Sequence, residues 1–210
     1  MIKVLVADDH AVVRKGLRQI LAETSDILVG GEASSLPEVR QKVHETRWDV
    51  VVLDISMPGG SGIELVSELR KLGPTPRFLV LTMHPEDQYA VRAIRAGAAG
   101  FLTKESAPEK LIEAVRKIAT GGRYVSADLA EVLASVVAGE STGAPHERLS
   151  DREFEVLKLL ASGRTVSQVA ADLGLSVKTV STHRTRLLKK MDMTTNAELT
   201  HYAVKNRIVE

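Results

Sequence analysis

Five short apolar runs recur in the first 120 residues, each followed by a stretch of helical period. This alternation limits the possible folds more than any other feature of the chain. The runs are IKVLVA (2–7), ILVGGEA (27–33), VVVL (50–53), RFLVLT (77–82) and GFLT (100–103). They are rich in Val, Ile and Leu, as strands covered on both faces require. Val12, Val13, Leu17, Ile20 and Leu21 trace one helical stripe, and Ile63, Leu65, Val66 and Leu69 a second. Val91, Ala93, Ile94 and Ala98 form a third, and Leu111, Ile112, Val115 and Ile118 a fourth. Leu36, Val39 and Val43 carry a weaker one over 36–47. Five such strand–helix units predict an α/β domain, a doubly wound five-stranded parallel sheet with helices on both faces.

The pattern changes after residue 120. Gly121-Gly122 ends the last of these helices, and Ala127 to Val137 has the period of one more. AGESTGAPHE (138–147) has no period and the composition of a linker. Beyond it every apolar pattern is helical. Three segments are therefore expected: an α/β domain over 1–120, a connecting helix and linker over 121–147, and a small all-α domain over 148–210.

In an open parallel sheet, ligands bind beyond the carboxyl ends of the strands. Strand one ends in Asp8-Asp9, strand three in Asp54 and strand four in Thr82, and strand five stops just before Lys104. Each residue alone has an ordinary explanation. Asp8 or Asp9 would cap the helix starting near Ala11, Asp54 would be a loop acid, and Thr82 and Lys104 would be surface residues. Together they form a chemical set. Clustered carboxylates repel one another, and a hard divalent cation such as Mg²⁺ relieves that repulsion. An aspartate is a competent nucleophile toward phosphorus. A hydroxyl and an ammonium would bind the arriving phosphoryl oxygens. The set is complete for forming an aspartyl phosphate.

VLVADDH, VVLDISMPGGSG, LVLT and GFLTK together make residues 1–120 similar to the receiver domain of two-component response regulators, a flavodoxin-like fold. The resemblance implies that Asp54 is the phosphoacceptor. It implies Mg²⁺ binding by Asp9 and Asp54, by the Ser56 carbonyl, and by Asp8 through water. Thr82 and Lys104 would contact the phosphoryl group, and Phe101 matches the aromatic switch position, expected to rotate inward on phosphorylation. The chain departs from the family pattern at Glu105, where many receivers carry a cis proline, and at Ser61, where an acid is common.

The C-terminal region reads as four helices, over roughly 151–162, 167–173, 177–191 and 196–206. Ser150 with Glu153 has the spacing of a capping box, Gly163 and Gly174 stand at helix stops, and Ser176 is placed to cap the third helix. Two short helices joined through a glycine turn are a helix-turn-helix signature. Between Val177 and Met191 there are five Lys/Arg and no acid. Val180, Leu187, Leu188 and Met191 face inward, with Arg184 at the edge of that stripe. Ser181, Thr182 and Thr185 are candidates for base contacts, and Lys178, Thr179, Arg186 and Lys189 for phosphates. His183 suits either a phosphate contact or a packed position.

Charge agrees with this division. Residues 147–210 hold eleven Lys/Arg against eight Asp/Glu, whereas 1–146 hold 17 against 19. Aromatics are 3% of the chain, too few for a stacking platform on single strands, so duplex DNA is the expected nucleic acid.

The C-terminal region resembles the LuxR-type helix-turn-helix domain, through LSDREFEVLKLLASGRTVSQVAADLGLSVKTVSTHRTRLLKKM and NAELTHYAVKNRIV. In that family the last helix dimerises, which implicates Leu199, Tyr202, Ala203 and Val204. Receiver plus LuxR-type domain resembles the NarL/FixJ group. The implied partners are a sensor histidine kinase, double-stranded DNA, RNA polymerase, and a second copy of the chain once phosphorylated.

Other classes fare worse. The chain has no cysteine, which excludes disulfides, thiolate nucleophiles and cysteine zinc sites, and its six histidines lack metal-ligand spacing. A phosphatase of dehalogenase type needs Asp-x-Asp, where this chain has Asp54-Ile55-Ser56. The expected function is not that of an enzyme, apart from the receiver's own phosphoryl transfer and autodephosphorylation. A regulator that binds DNA independently of phosphorylation remains the alternative. No apolar run has membrane-spanning length, and acids interrupt the N-terminus before a signal core forms, so a cytoplasmic protein without membrane contact is expected.

Overall fold

The computed structural model describes residues 1–73, 75–83, 86–137, 144–206, 208 and 209. The chain divides into two compact units, Met1–Val137 and Ala138–Glu210. No described helix is long and apolar enough to cross a membrane.

The first unit alternates strand and helix: β1 (Ile2–Ala7), α1 (Ala11–Leu21), β2 (Ile27–Ala33), α2 (Leu36–Glu45), β3 (Val50–Asp54), α3 (Gly62–Lys71), β4 (Arg77–Thr82), α4 (Glu86–Ala96), β5 (Gly100–Thr103) and α5 (Ala107–Ala119). The sheet order is β2-β1-β3-β4-β5, and every pairing is parallel. The order reverses at β1, so the carboxyl ends of β1 and β3 flank the switch point where such sheets bind ligands. Each face of the sheet has its own core. Val4, Val6, Val50, Val52, Leu79 and Leu81 pack with Leu17, Leu21, Leu111 and Val115 of α1 and α5. Leu5, Val51, Leu53 and Phe78 pack with Leu36, Val39, Leu65, Val66 and Leu69 of α2 and α3. Alternation along the strands delivers these two sets to opposite faces.

The helix expected over 127–137 forms as α6 (Ala127–Val137) and belongs to this unit, packed on α4. Before it, Tyr124 extends the sheet edge: its N–H donates to Ala99 O, and its carbonyl accepts from Phe101 N. The Lys104–Glu105 bond is trans, as are all peptide bonds among the described residues. The linker reading over 138–147 falls largely on residues outside those described.

In the second unit, a 3₁₀ turn (Pro145–Arg148) precedes α7 (Asp151–Ala161), α8 (Val166–Asp172), α9 (Val177–Met191) and α10 (Asn196–Lys205). Capping sets these boundaries. Ser150 and Glu153 form the expected box, and Thr165–Gln168 and Thr195–Glu198 form two more. Ser176 accepts from Thr179 N at 3.1 Å. Gly163 and Gly174 adopt positive φ after α7 and α8, where a Cβ would be strained. Glu153, 3% exposed, also accepts from Lys190 Nζ at 2.6 Å, tying α7 to α9.

Candidate functional site

The expected acids meet at the carboxyl edge of the sheet because β1 and β3 are neighbours whose strands end level, with Ala7 opposite Leu53. Asp8 is fully buried and Asp54 is 3% exposed. Neither acid is absorbed by helix capping. The N-cap of α1 is His10, which makes no side-chain cap, and Asp8 Oδ1 accepts from the His10 amide at 2.8 Å. Arg14 fixes the Asp8 carbonyl at 2.6 Å. Asp54 Oδ1 accepts from the Ser56 amide at 3.0 Å, which folds the chain back over the strand end.

Lys104 joins the two carboxylates. Its Nζ lies 2.6 Å from Asp54 Oδ2 and 2.6 Å from Asp8 Oδ2. The backbone places it there, since Lys104 N donates to Thr82 O at 2.8 Å. Thr82 itself is fully buried and pairs in register with Thr103. Burial pushes the Asp54 carboxyl above its usual range, against the pull of Lys104 and the Ser56 amide, and the nearby Asp8 charge adds to the rise. Burial opposes the charge on Lys104, yet the two carboxylates together hold its pKa above the ordinary lysine value.

Ligand atoms of Asp8, Asp9, His10 and Asp54 all lie within 4.8 Å of one another. Asp8 Oδ2 and Asp9 Oδ1 are buried and make no hydrogen bond of ordinary geometry, their near contacts being the ion pairs with Lys104 and His10. Two such oxygens are what a hard cation would use, and the all-oxygen carboxylate set suits Mg²⁺. Sequence reasoning missed His10. Its Nδ1 lies 2.8 Å from Asp9 Oδ1, and the only available signal was its position beside the Asp8-Asp9 pair.

Phe101 differs from expectation. A ring expected to rotate inward on phosphorylation is already inside, 1% exposed, with its strand paired to β4 on one side and to Tyr124 on the other.

In the second unit, all seven candidate DNA contacts, Lys178, Thr179, Ser181, Thr182, Thr185, Arg186 and Lys189, are exposed on α9. Val180, Leu187, Leu188 and Met191 are buried behind them. Thr182 donates to Lys178 O and Thr185 to Ser181 O, each at 3.0 Å. Their hydroxyls therefore present acceptor lone pairs and a methyl group outward. Arg184 is committed elsewhere, donating to Asn196 Oδ1 at 2.8 Å, and His183 is half-buried.

The dimerisation set needs correction. Leu199 and Ala203 are fully buried in the unit's own core, because α10 packs its apolar stripe on α7. Neither is exposed to touch a second copy. Tyr202 is half-buried, and its hydroxyl lies 2.8 Å from His146 Nδ1. Only Val204, 51% exposed, faces outward among the four.

An acidic site at the switch point of one unit and an outward basic helix in the other define a regulator that reads DNA with one part and takes a ligand on another. Comparison with known proteins agrees. Residues 4–116 match the response regulator receiver domain, and residues 147–203 match the bacterial regulatory proteins of the luxR family. The response regulator UvrY of Escherichia coli (strain K12) is 36% identical over 207 residues, covering 98% of this chain and 95% of that one. The structure of RcsB from Salmonella enterica serovar Typhimurium, bound to promoter rprA in the presence of phosphomimetic BeF3-, has a TM-score of 0.66 at 27% identity. It covers 96% of this chain and 97% of that one. A structure of two RcsB dimers bound to two parallel DNAs has a TM-score of 0.60 at 27% identity, covering 97% and 98%. The chain belongs to the two-component response regulators of the NarL/FixJ group, in which a receiver domain is joined to a LuxR-type DNA-binding domain.

Proposed function

We propose that phosphorylation of Asp54 governs promoter binding by α9. A sensor histidine kinase supplies the phosphoryl group. An Asp54 oxygen attacks phosphorus, the bond from phosphorus to the kinase histidine breaks, and the acyl phosphate carries the signal. The observation that carries this reading is the Lys104 ammonium held at 2.6 Å from both Asp54 and Asp8, beside buried Thr82.

Each residue has a role in this scheme. Asp9, Asp54 and the Ser56 carbonyl would hold Mg²⁺, with Asp8 acting through water. The cation would supply the charge that offsets the clustered carboxylates and the phosphoryl oxygens. Lys104 leaves its carboxylates to pair with the phosphoryl group, and the Thr82 hydroxyl binds a second oxygen. Such a switch needs about 5.5 kcal/mol of differential stabilisation to go from 1:99 to 99:1. Charge-assisted bonds made only in the phosphorylated state are of that order when several act together. Phe101, already inward, acts in this scheme through its backbone pairing with Tyr124 rather than by a ring flip.

The DNA-bound state is a homodimer on duplex DNA, with RNA polymerase as the downstream partner. RcsB dimers on DNA support the analogy. The outward face of α10 carries the contact through Val204, with Leu199 and Ala203 shaping the helix from behind.

Intact mass after incubation with acetyl phosphate and Mg²⁺ tests the proposal. One phosphoryl adduct is expected on the wild type and none on Asp54→Ala, with tighter promoter binding by the adduct. An adduct that leaves DNA affinity unchanged would instead favour a regulator working independently of phosphorylation.

A further inference from the structure

At the amino-terminal end of β4, a pocket of about 310 Å³ opens between the ends of α3 and α4 and the turn after α5. Arg70, Arg77 and Arg123 line it, with Thr75 and the backbone of Gly73 and Gly97. Among the described residues, no carboxylate lines it. This sets the three arginines apart from others in the unit. Arg14 and Arg18 pair with Glu32, Arg40 with Glu68, and Arg116 with Asp26. Asp49, beside Arg77 in the backbone pairing, turns its carboxylate to the Lys3 amide at 2.7 Å.

Arg70 and Arg77 instead donate to backbone carbonyls, to Gly97 O at 3.3 Å and Gly121 O at 3.1 Å. Helix C-termini carry partial negative charge, so capping accounts for those two bonds. It does not account for the rest. A guanidinium has five N–H donors and each cap uses one. Arg123 makes no hydrogen bond or ion pair among the described residues. The capping bonds fix two forks in place, so a ligand would lose little further side-chain entropy to them. Gly97 is what admits the Arg70 fork, since a Cβ there would run into the guanidinium.

We propose that this pocket is a binding site for a phosphate-bearing anion, held by Arg70, Arg77 and Arg123. Three guanidiniums match the three oxygens of a terminal phosphate, bidentate where the fork allows. The volume lies at the lower end of small-ligand pockets and has room for a mononucleotide. The site is separate from the acidic edge. Arg77 and Thr82 are the two ends of β4, about 16 Å apart at the rise of a strand. An anion here would join the ends of α3 and β4 to the segment that leads through Tyr124 into α6.

Amide chemical shifts of the full-length, ¹⁵N-labelled protein test this, in Mg²⁺-free buffer at constant ionic strength. Inorganic pyrophosphate and adenosine monophosphate are titrated separately. The expected result is saturable movement of the Gly73, Thr75, Gly97, Gly121 and Arg123 amides, with affinity at least tenfold weaker in Arg123→Gln. That variant removes an exposed side chain with no structural bond, so the fold is retained. Stronger binding of the nucleotide would identify a nucleotide as occupant, and stronger binding of pyrophosphate a free phosphate species. The basic helix α9 also attracts polyanions and serves as an internal control. Movement confined to α9, or pocket shifts that Arg123→Gln leaves unchanged, would overturn the proposal.

Discussion

Lys104 Nζ lies 2.6 Å from Asp54 Oδ2, although fifty residues separate the two in sequence. Lys104 is the nearby cation for two buried carboxylates, since it also lies 2.6 Å from Asp8 Oδ2. Removing one partner of a buried pair leaves charge uncompensated, at a cost of about 3 kcal/mol. Lys104→Met is therefore expected to lower the melting temperature sharply in Mg²⁺-free buffer. Added Mg²⁺ should restore more stability to the variant than to the wild type, because the cation takes over the neutralisation. Thermal unfolding with and without Mg²⁺ measures both. Equal Mg²⁺ effects on the two proteins would show that the cation and Lys104 do not share these carboxylates.

A glycine holds the loop that carries Asp54. A Cβ on Gly62 would stand 2.6 Å from Ile55 Cα and 3.1 Å from Asp54 O. Both are backbone atoms that cannot swing aside. Gly62→Ala is expected to push α3 off the end of β3, at a cost of about 1–3 kcal/mol for overpacking. Phosphoryl uptake from acetyl phosphate should fall with it. Uptake at the wild-type rate would mean the loop shifts without disturbing the site.

Much of this arrangement was readable in advance, because the signals were local. Apolar runs marked the strands, and acids at the ends of adjacent strands must converge in a parallel sheet. Ser150, Ser176, Gly163 and Gly174 announced their helix boundaries through cap chemistry that depends on neighbours alone. Facing was not readable in the same way. Leu199 and Ala203 form a stripe that suits either a partner or the unit's own core, and only the position of α7 decides. Arg184, with the same side-chain chemistry as Arg186, goes to Asn196 because the first residue of α10 lies within its reach. The cluster of Arg70, Arg77 and Arg123 has no sequence signature, since its members come from three separate elements.

The second unit should be sensitive to acid through Glu153. Burial raises its pKa, but the Lys190 ammonium and the Ser150 amide outweigh burial and hold it below the usual glutamate value. A carboxyl lowered in this way stabilises the fold above its unfolded pKa, and that contribution is lost as pH falls through the folded value. Glu153→Gln keeps an oxygen for the Ser150 amide and removes the charge. It is expected to cost about 1 kcal/mol at pH 7, a modest figure because Lys190 is 42% exposed and solvent screens the pair. The difference between variant and wild type should shrink as pH falls through the lowered Glu153 value, where both side chains become neutral. Denaturant melts at pH 7 and at successively lower pH give the comparison, and a difference that stays constant through the protonation of Glu153 would exclude the charge as its source.

The recognition helix separates two kinds of contact that DNA titrations can distinguish. Lys178, Arg186 and Lys189 are exposed cations suited to phosphates, and each phosphate neutralised adds about −0.9 to the log–log salt slope. Lys189→Ala is expected to reduce that slope by about 0.9 and to weaken all DNA sequences alike. Thr185 behaves differently, because its hydroxyl hydrogen is used on Ser181 O. Its outward lone pairs can accept only from donors such as the adenine or cytosine amino group, while its methyl suits thymine. Thr185→Ala should therefore leave the salt slope unchanged and relax base preference at one position of each half-site, by about 1–3 kcal/mol. Titrations of a selected promoter and its single-base variants, each at several salt concentrations, supply slope and preference from one data set. A Thr185→Ala protein that lost slope but kept its base preference would move this residue from the bases to the backbone.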